Sequence, residues 1–80
     1  MSTPATTVER LMDLAAQRFS VPRGELQADG DVFQSLGIDS MQVMTLLSEL
    51  EQTFDVEVPD YELRDVRTFA QLAECIERRI

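Results

Sequence analysis

Leu36-Gly37-Ile38-Asp39-Ser40-Met41 sets a serine where a glycine-containing loop gives way to a long amphipathic run. A hydroxyl in the first turn of a helix ordinarily caps it, its oxygen accepting from backbone N–H groups that lack an intrahelical partner. Here Asp39 is the better cap, with Gln42 three residues on to reach back in a capping-box pattern. That leaves Ser40 at the first helical position with its hydroxyl free. A free hydroxyl there can carry a group, and a phosphodiester on it would be favoured by the positive end of the helix dipole and by nearby backbone donors.

The run that follows predicts a helix from Ser40 to Thr53, with Val43, Met44, Leu46, Leu47, Leu50 and Phe54 forming a broad apolar stripe. Upstream, Leu36 and Ile38 are placed to plug the base of the turn. Ser20 to Gln34, with Pro22, Gly24 and Gly30, reads as a long loop without a regular element. Loops of about 12 to 15 residues tend to be functional or pinned by side chains, and Val21, Leu26, Val32 and Phe33 are available as pins. Within it, Asp29-Gly30-Asp31 reads as a solvated turn, since Val32, Phe33 and Gln34 break the ligand spacing of a calcium loop.

The outer parts follow the same logic. Thr6-Thr7-Val8-Glu9 has the form of a capping box, and Val8, Leu11, Met12, Ala15, Ala16 and Phe19 predict a helix over Thr7 to Phe19. Asp55-Val56-Glu57-Val58 alternates like a strand but has no partner strand, so it reads as a loop ended by Pro59. Asp60 to Asp65 has room for about one helical turn, with Tyr61 and Leu63 as anchors. A last helix starts at the Thr68-x-x-Gln71 box and turns Phe69, Leu72, Ala73, Ile76 and Ile80 inward. The expected fold is all-α, a small bundle of three main helices plus one short helix. Residues 1–80 are expected to form one domain, with 1–5 disordered.

Composition narrows the function. The chain has 80 residues, enough for one small core that buries roughly 60% of the unfolded surface. With 15 acidic against 7 basic side chains and a net charge of -8, its surface repels phosphate backbones and anionic lipid, arguing against nucleic-acid and membrane partners. The single cysteine, Cys75, has no internal disulfide partner and reads as a packing residue, and the N-terminus lacks the pattern of a secretion signal. A cytoplasmic monomer is expected. No His accompanies Met12, Met41 and Met44, so they read as packing residues and no metal site is predicted. Ser40 likewise has no candidate base, which argues against hydrolytic serine chemistry.

Taken with the helix order, Leu36-Gly37 before Asp39-Ser40, Glu-x-x-Phe at Glu51 to Phe54 and Val-Glu-Val-Pro-Asp at Val56 to Asp60 make the chain resemble the acyl carrier protein family, in its discrete form. The resemblance implies a carrier and no catalytic residues. It makes Ser40 the attachment point of 4'-phosphopantetheine from coenzyme A, and Asp39 the residue that helps recruit the phosphopantetheinyl transferase and its magnesium. It also implies an acyltransferase or acyl-activating ligase, and a ketosynthase or other biosynthetic enzymes, as partners.

The chain departs from the family's acidic recognition helix, since Gln42 and Thr45 stand where acidic residues are common. Docking is therefore expected to use Met41, Gln42, Thr45, Ser48 and Glu51, with positive charge added by Arg64 and Arg67. A cargo pocket is expected between the serine helix and the short helix, lined by Leu46, Leu50, Tyr61 and Leu63. The weakened acidic face points to polyketide or related natural-product synthesis. Primary fatty-acid synthesis and aminoacyl carriage stand as alternatives, and an unmodified helical interaction module stands as the reading from another class.

Overall fold

Three reciprocal caps, each announced by its local sequence, start the three long helices. The computed structural model describes residues 6–79, with α1 at Thr7–Phe19, α2 at Val32–Leu36, α3 at Ser40–Phe54 and α4 at Phe69–Glu77. The expectations for residues 1–5 and for Ile80 fall outside the described residues. At α1 the Glu9 N–H donates to Thr6 Oγ1 at 3.2 Å, and the Thr6 N–H donates to the Glu9 carboxylate at 3.0 Å. The backbone and hydroxyl of Thr6, both bonded to that carboxylate, hold Glu9 below the usual carboxylate range. Thr68 and Gln71 form the same box at α4.

The Ser20 to Gln34 loop needs correcting. Arg23–Glu25 forms a 3₁₀ turn, and Val32, Phe33 and Gln34 already belong to α2. Asp31 caps α2, its Oδ1 accepting from the Gln34 N–H at 2.9 Å. Five residues are too few to display a helical period, which is why the segment reads as loop. Gly37 closes α2 at φ 65 with its N–H donating to the Phe33 carbonyl, a left-handed conformation that favours glycine. Space is not the constraint, since nothing lies within 4 Å of a side chain built there.

Backbone bonds, as well as apolar pins, hold the long connection. Val32 N–H donates to the Arg67 carbonyl at 2.8 Å, Phe69 N–H to Gly30 at 3.3 Å and Ala70 N–H to Ala28 at 2.8 Å. They stitch it to the head of α4. An isolated Asp31–Thr68 bridge accompanies them, and no strand occurs among the described residues. Of the expected pins, Leu26 and Val32 are buried, while Val21 and Phe33 are half-buried.

Leu11, Ala15, Leu46, Leu50, Phe69 and Ile76 lie fully inside, where α1 packs chiefly on α4 and also touches α3. Cys75 is buried as a packing residue. Asp55–Pro59 is irregular as expected, and Asp60–Asp65 is a 3₁₀ segment. Its anchors differ from the expectation: Leu63 and Val66 pack against the core, whereas Tyr61 is 62% exposed. A 3₁₀ segment repeats every three residues, so Leu63 and Val66 share one face and Tyr61 falls with Arg64 on another. On α3 the stripe is narrower than expected, with Met44 at its edge and 41% exposed. The bundle thus has its three long helices, with α2 as an additional short one.

Candidate functional site

The head of α3 is built by its own first four residues. Asp39 sits at φ -102, ψ -177, just outside the helix, and its Oδ1 accepts from the Gln42 N–H at 2.9 Å. Gln42 Oε1 accepts in return from the Asp39 N–H at 3.2 Å. Ser40 is the first helical residue and is exposed. Its hydroxyl makes no protein hydrogen bond among the described residues. The positive end of a 15-residue helix lies beneath it. An exposed, unbonded hydroxyl at such a place fits a phosphodiester well: one bond to a phosphorus atom displaces nothing and the new negative charge meets the dipole favourably. Neither a histidine nor another base is bonded to the hydroxyl, so the arrangement presents Ser40 without activating it.

The neighbouring face of α3 carries little free charge. Met41 is 80% exposed and lies one turn from Met44 and Thr45, with Ser48 a turn further on. The Thr45 and Ser48 hydroxyls donate back along the helix to the Met41 and Met44 carbonyls, at 3.4 and 3.2 Å. Glu49 is paired with Arg18 of α1 at 2.9 Å. Glu51, expected on the docking face, is half-buried, and its Oε2 accepts from the Val58 N–H at 2.8 Å. Its role here is to latch the segment after α3, a bond between residues seven apart that no local pattern reveals. Arg64 and Arg67 are exposed on the segment after Pro59, and among the described residues no hydrogen bond or ion pair joins them to α3.

Of the four residues expected to line a cargo pocket, Leu63 packs against the core and the other three lie in different surroundings. Leu46 and Leu50 are sealed in the core, while Tyr61 borders a cavity of about 320 Å³ against α4, with Glu62, Gln71 and Cys75. A larger open cleft of about 690 Å³ runs between α1 and the end of α3, past Arg10, Leu14 and Thr53. Asp31, expected within the solvated turn Asp29-Gly30-Asp31, also caps α2. Asp31-x-x-Gln34 was the available signal, since it repeats the spacing of Asp39-x-x-Gln42.

Residues 9–76 match the family model described as the phosphopantetheine attachment site. The chain belongs to that family. It is 28% identical over 72 residues to an acyl carrier protein of Prochlorococcus marinus (strain MIT 9515), covering 90% of each chain. It is 25% identical over 72 residues to an acyl carrier protein of Amoebophilus asiaticus (strain 5a2), again covering 90% of each. Membership makes this phosphopantetheine-dependent protein a carrier and not an enzyme, one that deals with a phosphopantetheinyl transferase and with biosynthetic enzymes. Among the described residues no helix is long and apolar enough to cross a membrane.

Proposed function

We propose that Ser40 is the attachment residue and that the protein carries acyl intermediates of polyketide or related natural-product synthesis between cytoplasmic enzymes. The supporting observation is the Ser40 hydroxyl, exposed and without a protein partner at the head of α3, while Asp39 does the capping. When attached, phosphopantetheine supplies a terminal thiol that holds the acyl group as a thioester. Asp39 commits Oδ1 to the helix, and its other oxygen is open to the transferase and its magnesium. Met41, Thr45 and Ser48 form the docking face, uncharged and next to the serine, while the Gln42 side chain, expected there as well, turns back to the Asp39 N–H. That neutrality is what favours a dedicated partner set over enzymes that read an acidic helix.

Intact mass tests the attachment. Coenzyme A, magnesium and a broad-specificity transferase are expected to add one phosphopantetheine to the wild type and none to Ser40→Ala. An unmodified wild type would leave the interaction-module reading in its place. The pathway is tested by mass spectrometry of the loaded protein from its host: a partly reduced or unreduced polyketide chain is expected, and a saturated fatty acyl or aminoacyl group overturns that assignment.

A further inference from the structure

We infer that Gln42 is the positioning residue for loading, acting through Asp39 to hold Ser40 where a transferase can use it. The inference rests on Ser40 being the attachment residue. Ser40 has no side-chain bond of its own, so its placement depends on the backbone on either side. Behind it, the Asp39 carbonyl accepts from the Val43 N–H at 3.0 Å as any helix start does, and two further bonds of the cap differ in kind. The bond from the Gln42 N–H to Asp39 Oδ1, at 2.9 Å, uses Gln42's backbone and persists whatever side chain stands there. The bond from the Asp39 N–H to Gln42 Oε1, at 3.2 Å, exists only because residue 42 carries an acceptor at that reach.

No apolar packing within the turn substitutes for that second bond, because Asp39, Ser40, Met41 and Gln42 are all exposed, the packed residues being Ile38 before it and Val43 after it. Val43 is the first residue of α3 packed against the core. The turn that bears the serine is therefore ordered by its cap. Removing the acceptor hands the Asp39 N–H to water and lets the turn fray, which lowers the fraction of molecules with Ser40 in place. A partner that needs the ordered form then shows a raised apparent dissociation constant in inverse proportion to that fraction. Once it is bound the geometry is restored, so turnover at saturation stays the same.

The molecule provides its own control. Gln71 accepts from the Thr68 N–H at 3.1 Å and from the Arg67 N–H at 2.7 Å, making the same kind of cap at α4. Gln71→Leu removes a comparable cap without touching the serine turn. Loading by a broad-specificity transferase with coenzyme A and magnesium is measured as kcat and KM for the apo protein. The proteins compared are the wild type, Gln42→Leu, Gln42→Glu and Gln71→Leu, at high salt so that the charge introduced by Glu is screened.

Gln42→Leu is expected to raise KM by roughly two- to fivefold, about fivefold being the ceiling set by a lost capping contribution, with kcat unchanged. Gln42→Glu, which keeps an acceptor, stays within about twofold of the wild type. Gln71→Leu melts at a lower temperature and loads normally. Wild-type KM in Gln42→Leu overturns the inference, as does an equal rise in Gln71→Leu or no recovery in Gln42→Glu. A wild type that gains no mass overturns the Ser40 reading itself, an outcome distinct from these three.

Discussion

The two halves of α3 face opposite demands. Its first two turns are open to solvent along Met41 and Thr45, and the cap at Asp39 orders their start. Its last two turns are fastened from three sides: Arg18 to Glu49, the Val58 N–H to Glu51, and the Arg10 guanidinium over the Phe54 ring at 4.5 Å. One helix therefore provides both a handle and an anchor. The carboxylates explain the difference: those of α3 lie in its second half and are engaged there, so the half beside the serine is neutral.

Three substitutions break or sharpen this contrast, and a fourth probes the cap of α1. Leu50→Ala strikes the anchored half where the side chain is fully buried, and is expected to cost about 2 to 5 kcal/mol in urea unfolding. In a domain this small that approaches the whole stability. Glu51→Ala removes the latch on Val58 and is expected to cost about 1 to 2 kcal/mol. Amide shifts should then gather at Val56 to Val58 and spare Ser40; shifts spread evenly along α3 would deny that its halves are independent.

Met41→Gln, in the open half, is expected to leave stability within about 0.5 kcal/mol of the wild type, because the side chain touches little. A larger loss would mean that Met41 is a packing residue and not part of a docking face. The smallest effect concerns pH at α1. The Glu9 carboxyl is lowered by its bonds to Thr6, so its contribution is present above the usual carboxylate range and is lost as the pH falls through the depressed value. Glu9→Gln should flatten that part of the acid limb of a Tm against pH curve, and an unchanged limb would remove Glu9 from the account.

Several features were legible because their causes are local. The caps at Thr6, Asp39 and Thr68 follow from residues three apart, and the long helices show their period over nine or more residues. Other features escaped for physical reasons. α2 is too short for a period, although Asp31 and Gln34 carried its cap in plain view. Tyr61 and Leu63 look equally fit to anchor a short helix until the segment is known to be 3₁₀ and to turn Leu63 inward with Val66.

The sequence by itself determined where each long helix starts, that Ser40 heads the longest of them with its cap already supplied, and that the chain resembles a carrier. Tertiary structure alone decided that Glu51 serves the fold, that Tyr61 faces outward, and that Met41 and Met44 stand beside the serine with no free carboxylate near them on α3. Capping and periodicity act within one or two helical turns and can be read from spacing. The partners of Glu49 and Glu51 come from other elements, and only folding brings them within reach.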